Sequence, residues 1–292
     1  MTDFTNVSAR AMLVSLQIST WSARKFDRRV SAEVNESHAA AKDASRVNKH
    51  LLSGAAAHAD LLKRAGAARS RHYAETLPWA DEGWRLLPTA NFESYTDAMR
   101  HERATFDRLL TAFLDEYPVL REQARQTLGT LYKEEDFPTA QNIRSRFGWA
   151  IEFSPVPSGG DIRVDLPTEQ LSRIEQSVTD RVEQAAKAAM QDAWARLREA
   201  VARIQKASGP DGIVRGNLIE HAQAIVDVLG RLNVGEDADL EAMRQRVATE
   251  LTSIAPEDLR KDERLRADTA KRAADIMGSM SAFYAPQEQE VA

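Results

Sequence analysis

A histidine and a carboxylate lie close together at one point of the chain, where His72 precedes Glu75 by three positions. Residues three apart are neighbours on a helix, so this pair would place a base beside an acid on adjacent turns. None of the six histidines shows the HExxH spacing of a zinc site. Because such neighbours also occur on any ordinary helix, we interpret the pair as a packing or surface feature and predict no catalytic residue.

Carboxylates are grouped in two places, the run Glu134-Glu135-Asp136 and the polar face of a predicted hairpin, which carries Glu152, Asp161 and Asp165. Carboxylates that face each other across a hairpin repel unless a cation or an arginine lies between them. Arg163, on the same face, would neutralise them. The sequence therefore predicts no metal site and no cofactor, and a metal-dependent hydrolase is kept as an alternative.

Basic residues are concentrated after Trp21, where Arg24, Lys25, Arg28 and Arg29 follow. The apolar spacing here predicts a helix, on which Arg24 with Arg28, and Lys25 with Arg29, would be neighbours one turn apart. A nucleic-acid-binding protein would use such charges on phosphates and the indole for base stacking. A solvated helix face has the same pattern, so nucleic-acid binding is an alternative hypothesis.

A protein contact is predicted on a long helix in the second half of the chain. Apolar residues recur from Leu171 to Ile204 at a mean spacing of about 3.67 residues, which differs from the 3.5 of a left-handed coiled coil. The pattern predicts a nearly straight helix over 168–206 that packs on its own chain. Trp194 falls one place off the apolar stripe, and we expect it to form an exposed interaction surface with Arg198.

Three segments predict strands. Residues 148–154 and 161–166 alternate apolar and polar positions around the turn at 157–160, and residues 12–20 alternate in the same way. A lone hairpin is marginal in water, so a third strand is expected beside it. The predicted fold class is mostly α: an elongated multi-helix bundle with a long straight helix and a small three-stranded antiparallel sheet.

The predicted organisation has three parts. An N-terminal helical region with the small sheet covers 1–167, a long-helix stalk and C-terminal bundle covers 168–286, and a flexible tail covers 287–292. The chain has no cysteine, which excludes disulfides and thiol catalysis. Its net charge is -5. We found no secretory signal and no apolar run of the ~18 residues that a membrane span needs, so a cytoplasmic protein without membrane contact is expected.

Four segments resemble an uncharacterised phage and prophage protein family. They are residues 13–27, 73–79, 85–88 (Arg-Leu-Leu-Pro) and 147–157, the last running from Phe147-Gly148 into Glu152-Phe153-Ser154-Pro155. Members of that family are often encoded near a ring-forming AAA+ ATPase of the MoxR or cobaltochelatase type. The resemblance implies a phage protein that acts in the host cytoplasm, and it transfers no residue role.

These patterns together favour a non-enzymatic interaction or adaptor protein. Its long helices would bind a protein partner, either the neighbouring ATPase or a second copy of the chain. Nucleic-acid binding through residues 24–29 and metal-dependent hydrolysis are the two alternatives.

Overall fold

The computed structural model describes residues 7–79, 83–162, 167–281 and 283. In this part of the chain most residues are helical, so the predicted mostly α class is confirmed. The elements are, in chain order, α1 Val7–Arg10, β1 Ala11–Ser19, β2 Arg24–Phe26, α2 Arg28–Ser37, β3 Asn48–His50, α3 Ala56–Ala74, β4 Leu77–Pro78, β5 Trp84–Pro88, α4 Thr89–Leu128, α5 Ala140–Arg144, β6 Gly148–Pro155, α6 Thr168–Ser208, α7 Leu218–Leu232, α8 Ala238–Val247, α9 Pro256–Lys261 and α10 Glu263–Met280.

The described residues form two compact units that are interleaved along the chain. The first unit contains the described parts of 1–15, 72–96 and 152–292, and the second contains 16–71 and 97–151. The sequence predicted contiguous regions at 1–167 and 168–286 instead. Local patterning could not reveal the interleaving, because β1, α3, α4 and β6 are continuous elements with residues in both units. The predicted tail at 287–292 lies outside the described residues.

The predicted small antiparallel sheet is confirmed, but its strand count was wrong. Among the described residues, the main sheet has four strands in the order β4-β5-β1-β6, and β2 pairs with β3 in a separate two-stranded sheet. Strand β5 was not among the predicted strands, and its Leu86 lies opposite Leu13 in the antiparallel pair of β5 with β1. Of the second hairpin strand predicted at 161–166, residues 163–166 lie outside the described residues. Asp161 is the last residue of a 3-10 turn, Gly159–Asp161.

The long helix predicted over 168–206 is confirmed as α6. Its second half is the centre of the first unit's core, because small side chains such as Ala189 and Ala193 let α7 and α10 pack closely against it. Its first half is different. No residue of α6 before Ala185 is buried, and Ile174 is 40% exposed. The elongated shape of the bundle stays a prediction.

Helix α4 contains a proline, Pro118, in its interior. Proline removes a backbone donor and often kinks or ends a helix. The helix instead continues through Pro118, with Tyr117 and Leu120 buried on either side in the second unit's core. The Tyr117 hydroxyl also donates to the carbonyl of Pro138 at 2.9 Å. Packing on both sides of the proline thus outweighs the lost hydrogen bond. Each described helix falls short of the length or the hydropathy that a membrane crossing requires.

The two halves of α6 should respond differently to truncation of an apolar side chain. We expect Leu197→Ala, at a fully buried position, to lower the free energy of unfolding by about 2–5 kcal/mol, because it leaves a cavity among close-packed helices. Ile174→Ala should cost less than about 1 kcal/mol, because that side chain is already in contact with water. Urea unfolding of both variants measures the difference, and equal losses would contradict the division of α6 into a packed and an exposed half.

Candidate functional site

The basic segment after Trp21 does not form the single helix that its spacing predicted. Arg24 and Lys25 belong to strand β2, and helix α2 begins only at Arg28. Asp27 ends the strand and caps the helix, since its carboxylate accepts the backbone N–H of Val30 at 3.1 Å. The predicted pairs of neighbours one turn apart are therefore wrong, because an N-cap residue has extended backbone and the strand before it pairs with β3.

Trp21 is not at the surface. Its side chain is only 5% exposed and packs edge-on against the rings of His58 and Tyr117, at 5.9 and 6.2 Å between centroids. The Trp21 carbonyl accepts a hydrogen bond from His58 Nε2 at 2.8 Å. The indole is thus part of the second unit's core, and it could stack on a base only by leaving that core.

All four basic residues remain exposed. Three of them, Lys25, Arg28 and Arg29, line one cleft, whereas Arg24 does not. We define this basic cleft, with a volume of about 680 Å³, by Lys25, Arg28, Arg29 and Lys133 at its mouth and by Lys49 at its floor. Arg29 Nη1 forms an ion pair with Glu33 at 2.5 Å. Lys133, from a segment more than 100 positions away in sequence, was not predicted as a site residue.

The floor of the basic cleft is a buried ion triad. Lys49 Nζ lies 3.3 Å from Asp27 Oδ2 and 2.5 Å from Asp136 Oδ2, and it donates to the carbonyl of Leu131 at 2.9 Å. Burial alone would lower the pKa of Lys49, but its hydrogen bonds to Asp136 and Asp27 outweigh burial and raise that pKa. Lys49 is therefore a charged structural link.

Asp27 connects the triad to the exposed cations. The backbone N–H of Val30 and then the Lys49 ammonium lower the pKa of Asp27, so its carboxylate is ionised at neutral pH. Because the same carboxylate caps α2 and binds Lys49, it sets where Arg28 and Arg29 begin the helix. Glu135 is an exposed carboxylate beside this group. Several closely spaced cations in a cleft focus a positive potential, which suits an anionic ligand.

The pair His72 and Glu75 lies in the first unit and forms part of a buried polar cluster. His72 is 4% exposed, and its Nδ1 lies 2.8 Å from the hydroxyl of Tyr95. Burial, with a contribution from Arg85, lowers the pKa of His72 to about 4. Burial, with a contribution from Glu75, raises the pKa of Tyr95. His72 and Tyr95 are therefore neutral at physiological pH, and the geometry agrees with the packing interpretation.

Arg196 organises the same region and was missed by the sequence analysis. Its guanidinium donates to the carbonyls of Tyr73, Ala74 and Thr76 at 3.1, 2.8 and 2.9 Å, respectively. These carbonyls belong to the end of α3, where the last helical acceptors lack partners within the helix. Nothing in the local sequence links α6 to a helix end 120 positions earlier, so no signal pointed to this residue.

The predicted interaction surface at Trp194 and Arg198 is only partly exposed. Trp194 is 6% exposed, donates from Nε1 to Asp237 Oδ2 at 3.0 Å and stacks on Phe283 at 5.2 Å between ring centroids. The expectation of an exposed tryptophan was wrong, because the second half of α6 is packed on more faces than its main apolar stripe. Arg198 is exposed and has an interaction partner.

Two of the acidic residues considered for a metal site, Glu134 and Asp136, have other partners. Glu134 forms ion pairs with Arg121 and Arg125, and Asp136 binds Lys49. Within the described ranges, no cluster of three or more His, Asp or Glu side chains has the arrangement to hold a metal ion. Arg163 and Asp165 lie outside those ranges.

Comparisons with known protein families, with curated proteins and with solved structures found no match to this chain. The resemblance to a phage family therefore stays a prediction, as do the ATPase partner and the host compartment that it implies.

The buried His72 should make stability depend on pH. As the pH falls from about 6.5 toward 4, the unfolded chain binds a proton at this histidine while the folded chain does not, so the free energy of unfolding falls. The loss should approach about 3 kcal/mol. Unfolding curves for His72→Gln should lack this component, whereas a matched change at an exposed histidine, His101→Gln, should keep it. Identical pH profiles for the wild type and His72→Gln would contradict this assignment.

Proposed function

We propose that the protein acts by binding rather than by catalysis, and that its basic cleft binds the phosphate backbone of a nucleic acid. The observation that carries the proposal is the group of exposed cations Lys25, Arg28, Arg29 and Lys133 around one cleft. A nucleic-acid backbone presents regularly spaced negative charges, and several cations can contact successive phosphates.

The state of the buried ionisable groups supports binding rather than catalysis. A catalytic acid or base needs a pKa near the working pH and access to the substrate. Lys49 is buried and held by two carboxylates, and its pKa is raised. His72 is buried against Tyr95, and its pKa is far below neutrality. Both groups stabilise their own unit.

The burial of Trp21 narrows the kind of recognition that we propose. Contacts through lysine and arginine side chains position a protein on phosphates but do not read base identity. Without the indole, the proposed surface lacks the aromatic stacking expected from the sequence. We therefore propose binding that is independent of base sequence and strongly weakened by salt.

The net charge of -5 is compatible with this proposal. At physiological ionic strength, charges separated by more than about 8–10 Å are largely screened from each other. A bound phosphate therefore responds mainly to the charges around the cleft, and acidic residues elsewhere contribute little. Whether the cleft binds a phosphate therefore depends on the local balance between the cations at its mouth and acids such as Glu33 and Glu135.

Loss of two cleft cations should weaken binding in a salt-dependent way. We expect the double variant Lys25→Gln/Arg28→Gln to bind a labelled oligonucleotide more weakly. The slope of log affinity against log salt concentration should also become shallower, by about 0.9 for each lost phosphate contact on duplex DNA. Fluorescence anisotropy at several salt concentrations measures both quantities.

The matched control removes the same charge elsewhere in the second unit. Arg100 and Arg103 are exposed on α4, and each forms an ion pair on its own helix. Arg100→Gln/Arg103→Gln should retain the wild-type affinity and slope. Equal losses of affinity in the two double variants would show that overall charge, rather than the cleft, accounts for binding. Wild-type affinity in the cleft variant would refute the proposal.

As a second candidate function, we propose an adaptor role for the first half of α6. Leu171, Ile174, Val178 and Val182 lie on one helical face and stay partly or largely exposed, whereas the apolar residues farther along the helix are buried. A face of this kind suits the apolar side of a partner helix. The partner that the family resemblance implies is a ring-forming ATPase, and a second copy of the chain is the alternative.

A charge placed on this face should abolish complex formation. We expect Ile174→Glu to prevent co-purification with a co-expressed ATPase of the implied type, because it puts a carboxylate into an apolar contact. Gln176→Glu adds the same charge at an exposed position on the opposite side of α6 and should leave the complex intact. Sedimentation velocity of the protein alone measures self-association. A wild-type protein that forms neither complex, or a complex that Ile174→Glu does not affect, would refute the adaptor proposal.

A further inference from the structure

A second cavity lies in the first unit, where α6 ends and α7 begins. We call it the α6–α7 pocket and define it by Arg203, Lys206, Asp211, Ile213, Arg215 and Leu218. Its volume is about 890 Å³, which falls within the ~300–1,000 Å³ that is typical of sites for small molecules. The proposed nucleic-acid contacts do not use any of these residues.

The loop that forms one wall of this pocket is held at two points. Gly212 approaches the end of α6 so closely that a Cβ atom there would lie 2.2 Å from the carbonyl oxygen of Ala207. Two residues later, Val214 is buried, and its carbonyl accepts a hydrogen bond from Arg260 Nε at 3.2 Å. The wall is therefore largely preformed, and a ligand would lose little affinity to the ordering of this loop.

Ile213 lies between these two fixed points and is 77% exposed. With both neighbours held, the loop cannot turn the isoleucine inward without breaking one of these contacts. Leu218 is half-buried in the same pocket. The pocket thus presents apolar surface to water, which an apolar group of a ligand would cover.

The charged residues of the pocket are predominantly cationic. Arg203, Lys206 and Arg215 contribute three positive charges, and Asp211 contributes one negative charge. The guanidinium of Arg203 is oriented, because it donates to His221 Nε2 at 3.0 Å and to Glu199 Oε1 at 2.5 Å. Helix α7 begins here, and its first N–H group, that of Leu218, donates to the carbonyl of Arg215 at 3.1 Å.

We propose that the α6–α7 pocket binds a small amphipathic anion, an apolar body that carries one carboxylate, sulfonate or phosphate ester. The anionic group contacts Arg203 and Arg215, and the apolar body covers Ile213 and Leu218. This ligand class differs from the polyanion proposed for the basic cleft, because a polymer of phosphates has no apolar body to place on Ile213.

A pair of fluorescent probes tests both halves of this proposal. 8-Anilinonaphthalene-1-sulfonate carries an apolar body and a sulfonate, and N-phenyl-1-naphthylamine has a similar body without the charge. We expect Arg203→Gln/Arg215→Gln to weaken binding of the sulfonate roughly tenfold or more, the size of one lost charge-assisted hydrogen bond. Binding of the uncharged probe should stay the same. Ile213→Ser should weaken both probes, because both use the apolar surface.

The controls separate this pocket from nonspecific dye binding. Arg272 is an exposed arginine that pairs with an acid one turn earlier, in the same way as Arg203. The Arg272→Gln variant should bind both probes like the wild type. Lys25→Gln/Arg28→Gln should also keep full sulfonate binding, which distinguishes this pocket from the basic cleft. Thermal unfolding confirms that each variant is folded, and Ile213 is exposed enough for Ile213→Ser to keep the fold. Sulfonate binding that is unchanged in the pocket variants, or reduced equally in the Arg272→Gln control, would overturn the proposal.

Discussion

Close packing on the small side chains of α6 is the constraint on which the first unit depends. Alanines between Ala185 and Ala200 let α7 and α10 approach the helix axis, so their larger apolar residues are buried against it. Once the second half of the helix is enclosed, its end must turn sharply, and Gly212 provides the room for that turn. The first half carries larger apolar residues and stays accessible, and this division creates the surface that we propose for a protein partner.

In the second unit, a single carboxylate has the comparable role. Asp27 caps α2, ends β2 and binds the buried Lys49, which in turn binds Asp136. A buried charge without a partner is costly, so these three groups hold their segments together. Because Arg28 and Arg29 follow the cap directly, the interaction that stabilises this region also places its exposed cations. Structure and proposed recognition therefore share the same residues.

The two proposed ligand sites show why overall composition says little about binding here. The chain is acidic as a whole, yet cations gather at the basic cleft and at the α6–α7 pocket. Screening in salt limits each site to its local charges. The pocket exposes the large aliphatic side chain of Ile213, whereas the basic cleft is lined mainly by charged residues, with Phe26 and Ala32 beside them. That difference is the basis for proposing a polymeric ligand at the cleft and a small amphipathic one at the pocket.

The sequence alone was sufficient for features that depend on neighbours along the chain: the helical class, the limits of α6 and the alternating strand β1. Spacing of apolar residues reports directly on such local geometry. It failed where distant segments decide the outcome. Trp194 was expected at the surface, and the nucleic-acid hypothesis required an accessible Trp21, but each is enclosed by residues that are remote in sequence. Lys133 and Arg196 could be recognised only in the folded chain, because burial and charge pairing depend on which segments meet in space, and a one-dimensional pattern carries no such information.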